Sequence, residues 1–348
     1  MTKDHVMKNP QVLIIYTGGT IGMINDPETG ALKPFDFESL YGSIPELKQF
    51  DYKLDTYSVG EPIDSSDMNP KLWGDIASTI FDNYANYDGF VVLHGTDTMA
   101  FTTAAMSFML QGLNKPVIFT GSQLPIGQIR TDGKENLITA IELAGMSDSS
   151  GKPNIREVAL YFEFQLYRGN RVSKVSTFNF EAFKSYNYPL LAQAGTNIKI
   201  NHNSLYRSQK EELKLFTDFN ANIALVKLFP GMPIEPLQSI FDIKKVEGVI
   251  LETFGNGNSF SSVEFEKTIA DYMESGGIVM NITQCTQGNV VLGLYQTSIH
   301  FKRLEVISGR DISTEAAVAK MMYVLGRTHD QKERIKLLNE NICGEVTI

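Results

Sequence analysis

The sequence predicts an α/β protein of two domains, a larger N-terminal one with a mostly parallel sheet covered by helices on both faces and a smaller C-terminal one with its own parallel sheet. Three observations carry this expectation. Short, nearly continuous apolar runs recur, as at Val12–Ile15, Gly89–Leu93 and Val158–Phe162. Strands buried on both faces read this way, whereas a half-exposed strand alternates. Several runs end in polar, glycine-bearing loops, and stretches of helical spacing follow, the alternation that builds parallel sheets.

In chain order, Val12–Ile15 reads as the first strand, and Tyr16-Thr17-Gly18-Gly19-Thr20-Ile21-Gly22 follows it. Adjacent glycines let the backbone turn sharply and bring main chain close to a ligand. Open α/β sheets hold ligands outside the carboxyl ends of their strands, so the Thr20 hydroxyl is the first candidate for chemistry. A plain turn would carry the same residues. Thr17 stands where the dinucleotide pattern G-x-G-x-x-G needs its first glycine, and the lysine of a P-loop is missing. Asn25–Gly30 is dense in turn formers, so it is either a surface loop or a lid over a pocket.

Tyr52–Val59 reads as a strand leading to Ile63-Asp64-Ser65-Ser66-Asp67-Met68, a knot of hydroxyls and carboxylates. Asn69 as cap and Pro70 in the first turn open a helix that Leu72, Ile76, Ile80 and Tyr84 continue. Gly89–Leu93 is a central strand ending in His94-Gly95-Thr96-Asp97-Thr98, with a helix expected over Met99–Leu110. Lys115–Phe119 is a strand ending in Thr120-Gly121-Ser122-Gln123, and Asp132 is expected to cap a helix bearing Leu137, Ile141 and Leu143. Behind the strand Val158–Phe162 lies a cationic segment, Tyr167-Arg168-Gly169-Asn170-Arg171-Val172-Ser173-Lys174.

Periodicity fails between Gly195 and Leu213. The expected division is therefore an N-terminal domain over 1–198, a linker over 199–220 and a C-terminal α/β domain over 221–348. That domain's strands are placed near Ala224–Phe229, Val249–Thr253 and Gly277–Ile282, and its helices near Val263–Glu274, Thr314–Leu325 and Lys332–Asn341. Asp330 with Glu333 makes a capping-box-like start for the last helix, and Gly344 suits its end.

Composition narrows the function classes. With 43% hydrophobic and 20% charged residues the 348-residue chain is globular, and long enough for two domains. A net charge of −9 disfavours a nucleic-acid partner. The first apolar run is too short for a signal-peptide core or a membrane span, so no membrane association and a cytoplasmic location are expected. Cys285 and Cys343 lack any paired spacing, which fits a reducing compartment and no zinc site.

Three strand-end loops carry hydroxyls: Thr20, then Ser65 and Ser66, then Thr96. A threonine hydroxyl is a weak nucleophile and needs a base within hydrogen-bond reach. His94 is the one histidine beside these loops, and a histidine at a strand end next to glycine is more often structural. Lys174 is the better base if desolvation or a cationic neighbour such as Arg168 or Arg171 lowers its pKa. Asp97 would orient that lysine or grip a substrate ammonium; at a helix start it is ordinarily a cap.

Tyr16–Met23, Asp64–Met68, His94–Met99 and Tyr167–Arg171 together resemble the signatures of the L-asparaginase family, most nearly its cytoplasmic bacterial type I members. Asn281-Ile282-Thr283-Gln284-Cys285 extends the resemblance into the second domain. It implies hydrolysis of L-asparagine to L-aspartate and ammonia, with Thr20 attacking the side-chain amide to form a β-aspartyl ester. It implies that Thr96 and Lys174 assist proton transfer and that Asp97 also binds the α-amino group. Asp64, Ser65 and Ser66 match the segment holding the α-carboxylate and α-amino groups. No cofactor and no metal are called for, and a homotetramer built as a dimer of dimers is implied.

Two departures stand out. Many family members carry a tyrosine on the loop behind the nucleophile, where this chain has Gly30-Ala31-Leu32; that role is left unassigned, with Tyr41 or a neighbouring subunit's tyrosine as candidates. Some type I enzymes bind asparagine at a regulatory site through an arginine in the strand matching Ile250–Phe254. Glu252 stands there, and a carboxylate would repel the effector's own, whereas Thr283, Gln284 and Cys285 keep the family pattern at the same site and leave the question open. Two rivals share the motifs: an amidase subunit of a tRNA-dependent amidotransferase, and a non-catalytic amino-acid sensor.

Overall fold

The computed structural model describes residues 9–25, 32–34, 44–208, 210 and 212–347. They form two compact units. One gathers the described residues up to Ser185 with Pro189–Leu215, the other Tyr186–Tyr188 with the described residues from Phe216 onward. The expected loop at Asn25–Gly30 lies, beyond Asn25, outside the described residues, as do Ala31 and Tyr41.

The first unit is built on an eight-stranded sheet. Its strands are β1 (Gln11–Gly18), β2 (Lys53–Ile63), β3 (Gly89–Leu93), β4 (Val117–Thr120), β5 (Val158–Phe162), β6 (Gln165–Arg168), β7 (Ala192–Gln193) and β8 (Lys199–Ile200). The spatial order is β8-β7-β6-β5-β4-β3-β1-β2. β1 runs parallel to both β2 and β3, with Ile14 opposite Thr56 and Val91, and parallel pairing continues through β4 to β5. Every residue of β3 is buried, so both faces of the sheet's centre are covered. The run Phe90-Val91-Val92-Leu93 is apolar throughout for that reason.

From β5 onward the sheet turns antiparallel, and the cationic segment expected over Tyr167–Lys174 begins inside it, because Gln165–Arg168 is a strand paired with β5 and β7. The turn from β5 to β6 has only two residues, Glu163 and Phe164, with φ of 44° and 64°. Two-residue hairpins with both central residues left-handed usually announce themselves as Asn-Gly or Asp-Gly. Glu-Phe gives no such signal. Within β6, Arg168 donates from Nε to Glu157 at 2.7 Å and from Nη2 to the Ser204 carbonyl at 2.8 Å, all of it buried. Arg168 is therefore the partner of a buried carboxylate.

Among the described residues, α1 (Pro70–Asn83), α2 (Met99–Met109) and α3 (Gly133–Gly145) serve this sheet. Asn69 caps α1 by accepting from the Lys71 and Leu72 amides at 3.1 and 3.2 Å, and Pro70 fills its first position. The buried face runs through Trp73, Ile76, Ala77 and Ile80; Leu72 is half-buried beside it, and Tyr84 caps the helix C-terminus. All of α2 but Phe101 is buried, as an apolar helix packed against α1 and β5 must be. At the start of α3 the expected cap fails. Asp132 is itself helical there and makes no capping bond; its carboxylate accepts from the Gln123 and Leu124 amides instead, at 2.8 and 3.1 Å.

The second unit carries a four-stranded, all-parallel sheet in the order β9 (Ile223–Lys227), β10 (Gly248–Thr253), β11 (Ile278–Thr283), β12 (Ile307–Ser308). Its helices are α4 (Glu235–Ile240), α5 (Val263–Glu274), α6 (Ile299–Arg303), α7 (Thr314–Arg327) and α8 (Gln331–Asn339). Val226, Leu251, Phe265, Ile269, Tyr272 and Phe301 share one apolar cluster. Asp330 accepts from the Glu333 amide at 2.8 Å, but Glu333 turns to the Thr328 hydroxyl, so only half of the capping box forms. Lys320 and Glu345 make a buried ion pair of 2.7 Å that ties the last residues to α7.

Arg168→Met would leave Glu157 as an unpaired buried carboxylate. The expected loss is about 3–5 kcal/mol of stability, read as a lower midpoint in urea denaturation.

Candidate active site

The candidate residues lie on loops at the ends of neighbouring strands. β2, β1 and β3 are adjacent and parallel, so their carboxyl ends share one rim of the sheet. The loops behind them touch through main chain. A Cβ on Gly18 would fall 2.1 Å from the Ile63 carbonyl oxygen, and one on Gly19 would fall 2.4 Å from the Gly95 nitrogen. Both glycines also hold positive φ, 125° and 83°. Side chains at either place would push the three loops apart.

Thr20 opens a single 3₁₀ turn, Thr20–Gly22, directly behind β1 and is half-buried. Tyr16 braces this turn by donating from its hydroxyl to the Gly22 carbonyl at 3.0 Å. Burial pushes the Tyr16 phenol up to about 12, so it remains a neutral donor. The Thr17 hydroxyl ties β1 to β3 through the Leu93 carbonyl at 2.9 Å.

Behind β2, the Asp64 carboxylate accepts from the Ser66 amide at 2.8 Å and the Ser66 hydroxyl at 2.7 Å. Those two bonds, the amide first, hold the exposed Asp64 below its ordinary value, so it stays an anion. Ser65 is buried, and its carbonyl accepts from the Thr98 hydroxyl at 2.6 Å. This bond fastens the Asp64–Ser66 turn to the loop behind β3.

Lys174 arrives from a different part of the chain. Ser173–Lys174 pairs antiparallel with Phe183–Lys184, and the pair is anchored by Phe183. Phe183 is buried against Phe162 at 5.0 Å between ring centroids, and its carbonyl accepts from Tyr167 at 2.9 Å. So placed, Lys174 Nζ lies 2.8 Å from Thr96 Oγ1 and 2.6 Å from Asp97 Oδ1. The lysine side chain is 15% exposed and the aspartate 62%. Asp97 does not cap α2, whose start carries no side-chain capping bond. Its charge faces the lysine instead, and Lys174 has this carboxylate beside it, while Arg168 is engaged by Glu157.

One residue of this constellation escaped the sequence reading. The Thr96 hydroxyl donates to Gln123 Oε1 at 3.3 Å, while Gln123 Nε2 donates to the Asn179 carbonyl at 3.1 Å. Gln123 thus links Thr96 to the hairpin that carries Lys174. The signal was present: Thr120–Gln123 is a further polar loop behind a parallel strand of the same sheet. Asp132 holds its backbone in place, which explains why that carboxylate left the helix cap.

His94 is excluded as a base. It is fully buried, its Nδ1 donates to the Gly95 carbonyl at 2.7 Å, and its Nε2 accepts from Thr102 at 3.0 Å. Trp73 in turn donates to Thr102 at 3.0 Å. Desolvation pushes the imidazole down to about 4. In the second unit Glu252 is buried, accepts from Thr314 at 2.6 Å and lies 3.6 Å from Lys227. Nearby, Thr283 donates to the Gly255 carbonyl at 2.6 Å and Gln284 bonds the Leu228 and Glu252 carbonyls. Among the described residues no group of three or more His, Cys, Asp or Glu side chains gathers to hold a metal ion.

Comparison with known proteins covers nearly the whole chain. The family described as Asparaginase, N-terminal, matches residues 11–206, and the Glutaminase/Asparaginase C-terminal domain matches 222–338. L-asparaginase 1 of Escherichia coli K12 is 36% identical over 342 residues, spanning 98% of this chain and 99% of its own. The mouse 60 kDa lysophospholipase is 37% identical over 363 residues, which span 97% of this chain but 63% of that protein's length. The crystal structure of L-asparaginase I from Vibrio cholerae superposes with a TM-score of 0.88 at 36% identity, covering 98% of this chain and 100% of that one.

Because the folded pKa of His94 lies below its unfolded value near 6.5, the unfolded chain binds the extra proton first. Its contribution is present above about 6.5 and is lost as pH falls toward about 4, on the order of 3 kcal/mol in all. Urea midpoints measured across that window should fall less steeply in His94→Gln.

Proposed function

The chain belongs to the L-asparaginase family of amidohydrolases, and on that premise we propose that it hydrolyses L-asparagine to L-aspartate and ammonia through an ester formed on Thr20. The observation that supports this best is the pair of bonds from Lys174 to Thr96 and Asp97, two residues on the loop whose Gly95 abuts Gly19 beside Thr20. A surface lysine has no reason to be drawn in against a threonine hydroxyl at the mouth of a parallel sheet.

The steps follow from what each group can do. Asp64, Ser65 and Ser66, with Asp97, receive the α-amino and α-carboxylate ends of asparagine. The anionic Asp64, held in place by the Ser66 amide and hydroxyl, suits an ammonium. The Thr20 oxygen adds to the side-chain carbonyl carbon, and the oxyanion that forms is met by backbone N–H groups near Gly95–Asp97. The carbon–nitrogen bond then breaks, ammonia leaves with the added proton, and a β-aspartyl ester remains on Thr20. Water attacks that ester next, and Thr20 is released with its hydroxyl restored. Thr96 and Lys174 relay the protons. The Lys174 ammonium donates to the Thr96 hydroxyl, so these two groups already share a hydrogen bond along which a proton can pass.

We place the enzyme in the cytoplasm and assign it a homotetrameric assembly, on its likeness to type I relatives. No helix among the described residues is long and apolar enough to cross a membrane.

Ammonia release from asparagine and glutamine is the direct test. Thr20→Ala should fold as the parent does and release no ammonia from asparagine; full activity would remove Thr20 as the nucleophile. Lys174→Met should lower kcat by about 10²–10⁴-fold, and a change of less than about tenfold would return Lys174 to the status of a surface charge.

A further inference from the structure

The second unit encloses an open cavity of about 570 Å³ whose walls include Tyr186, Gln287, Asn289, Arg310, Asp311 and Thr347. Its size lies within the range of roughly 300–1,000 Å³ typical of small-molecule sites. The walls are stapled together. Asn187 donates from Nδ2 to the Gly288 and Asp311 carbonyls, each at 3.2 Å, and accepts from the Gly288 amide at 2.9 Å. The Asp311 carboxylate accepts from the Thr347 amide at 2.8 Å and the Thr347 hydroxyl at 2.6 Å.

Arg310 stands out among these residues. Its φ is 55°, a left-handed conformation unfavourable for a residue with a side chain. The backbone is held there by two bonds: the Arg310 amide donates to the Ser308 hydroxyl at 3.2 Å, and its carbonyl accepts from the Val290 amide at 3.0 Å. Backbone held against its preference concentrates where a side chain must be aimed. Arg310 is half-buried, yet among the described residues its guanidinium makes no ion pair or hydrogen bond.

We infer that this cavity is a binding site for a small oxyanion, a carboxylate or a phosphate, held by the Arg310 guanidinium. A guanidinium presents planar, paired N–H donors that fit two oxygens of one anion. The side-chain amides of Gln287 and Asn289 and the Tyr186 hydroxyl add neutral donors in the same walls. Among the described lining residues Asp311 is the one carboxylate. Its oxygens are engaged by the Thr347 amide and hydroxyl.

Calorimetric titration of the full-length protein with acetate and, separately, inorganic phosphate tests this. Wild type should give a saturable heat with at least one of them. Arg310→Gly accepts the left-handed backbone freely and should weaken that binding roughly ten- to hundredfold, with an unchanged thermal melt. Gln287→Ala, on an exposed side chain, should weaken it in the same direction by less. Saturation with acetate alone assigns the site to carboxylates, and with phosphate alone to phosphoryl anions. No saturable heat with either anion, or equal affinity in Arg310→Gly, overturns the inference. Ammonia release by Arg310→Gly should match wild type, so the anion site and the proposed hydrolysis stand or fall separately.

Discussion

The arrangement at the first unit's rim depends on the Lys174 ammonium, held between the Thr96 hydroxyl at 2.8 Å and the Asp97 carboxylate at 2.6 Å. These contacts join positions 78 and 77 residues apart in the chain. A lysine with only 15% of its side chain exposed needs an opposite charge nearby, because desolvating an unpaired ammonium costs several kcal/mol. Asp97 supplies it. The neighbouring hydroxyl is then oriented in consequence: accepting from the lysine, Thr96 can only donate elsewhere, and Gln123 is the acceptor.

That interaction in turn rests on rigid parts. The short hairpin bearing Lys174 would be too small to hold a side chain in place by itself. It is fixed by Phe183, buried against Phe162 of the central sheet, and by the Tyr167 hydroxyl on the Phe183 carbonyl. On the facing side, main-chain contact between Gly19 and Gly95 and the bond from Thr98 to Ser65 lock the loops behind β1, β2 and β3 to one another. Reactive groups on loops, with a buried sheet as their scaffold, are the usual division of labour in such folds.

Several features could not be read from local pattern because they obey distant partners. Asp132 looks like a helix cap by position, but the Gln123 and Leu124 amides offered its carboxylate better bonds. Asp97 looks like a cap as well and serves as a counter-ion. The strand Gln165–Arg168 was hidden because Glu163 and Phe164 make a left-handed two-residue turn without glycine or asparagine. Arg168 resembles a free cation beside Lys174 in the sequence, but its buried partner is Glu157, eleven residues earlier. Gln123 carried no motif of its own; only its place behind a parallel strand marked it.

Apolar periodicity was enough to determine the α/β alternation and the buried parallel strands, and the Asn69-Pro70 pair was enough to determine a helix cap, since each depends on neighbours a few positions away. The motifs around Thr20, Asp64–Ser66, Thr96–Asp97 and Arg168–Lys174 were likewise visible as residues in order. The folded chain alone decided which of them meet. It directed Lys174 toward Asp97 and Arg168 toward Glu157, drew Gln123 into contact with Thr96, and left Arg310 open to a cavity. Those choices follow from desolvation and hydrogen-bond geometry between residues far apart in sequence, quantities that no local pattern contains.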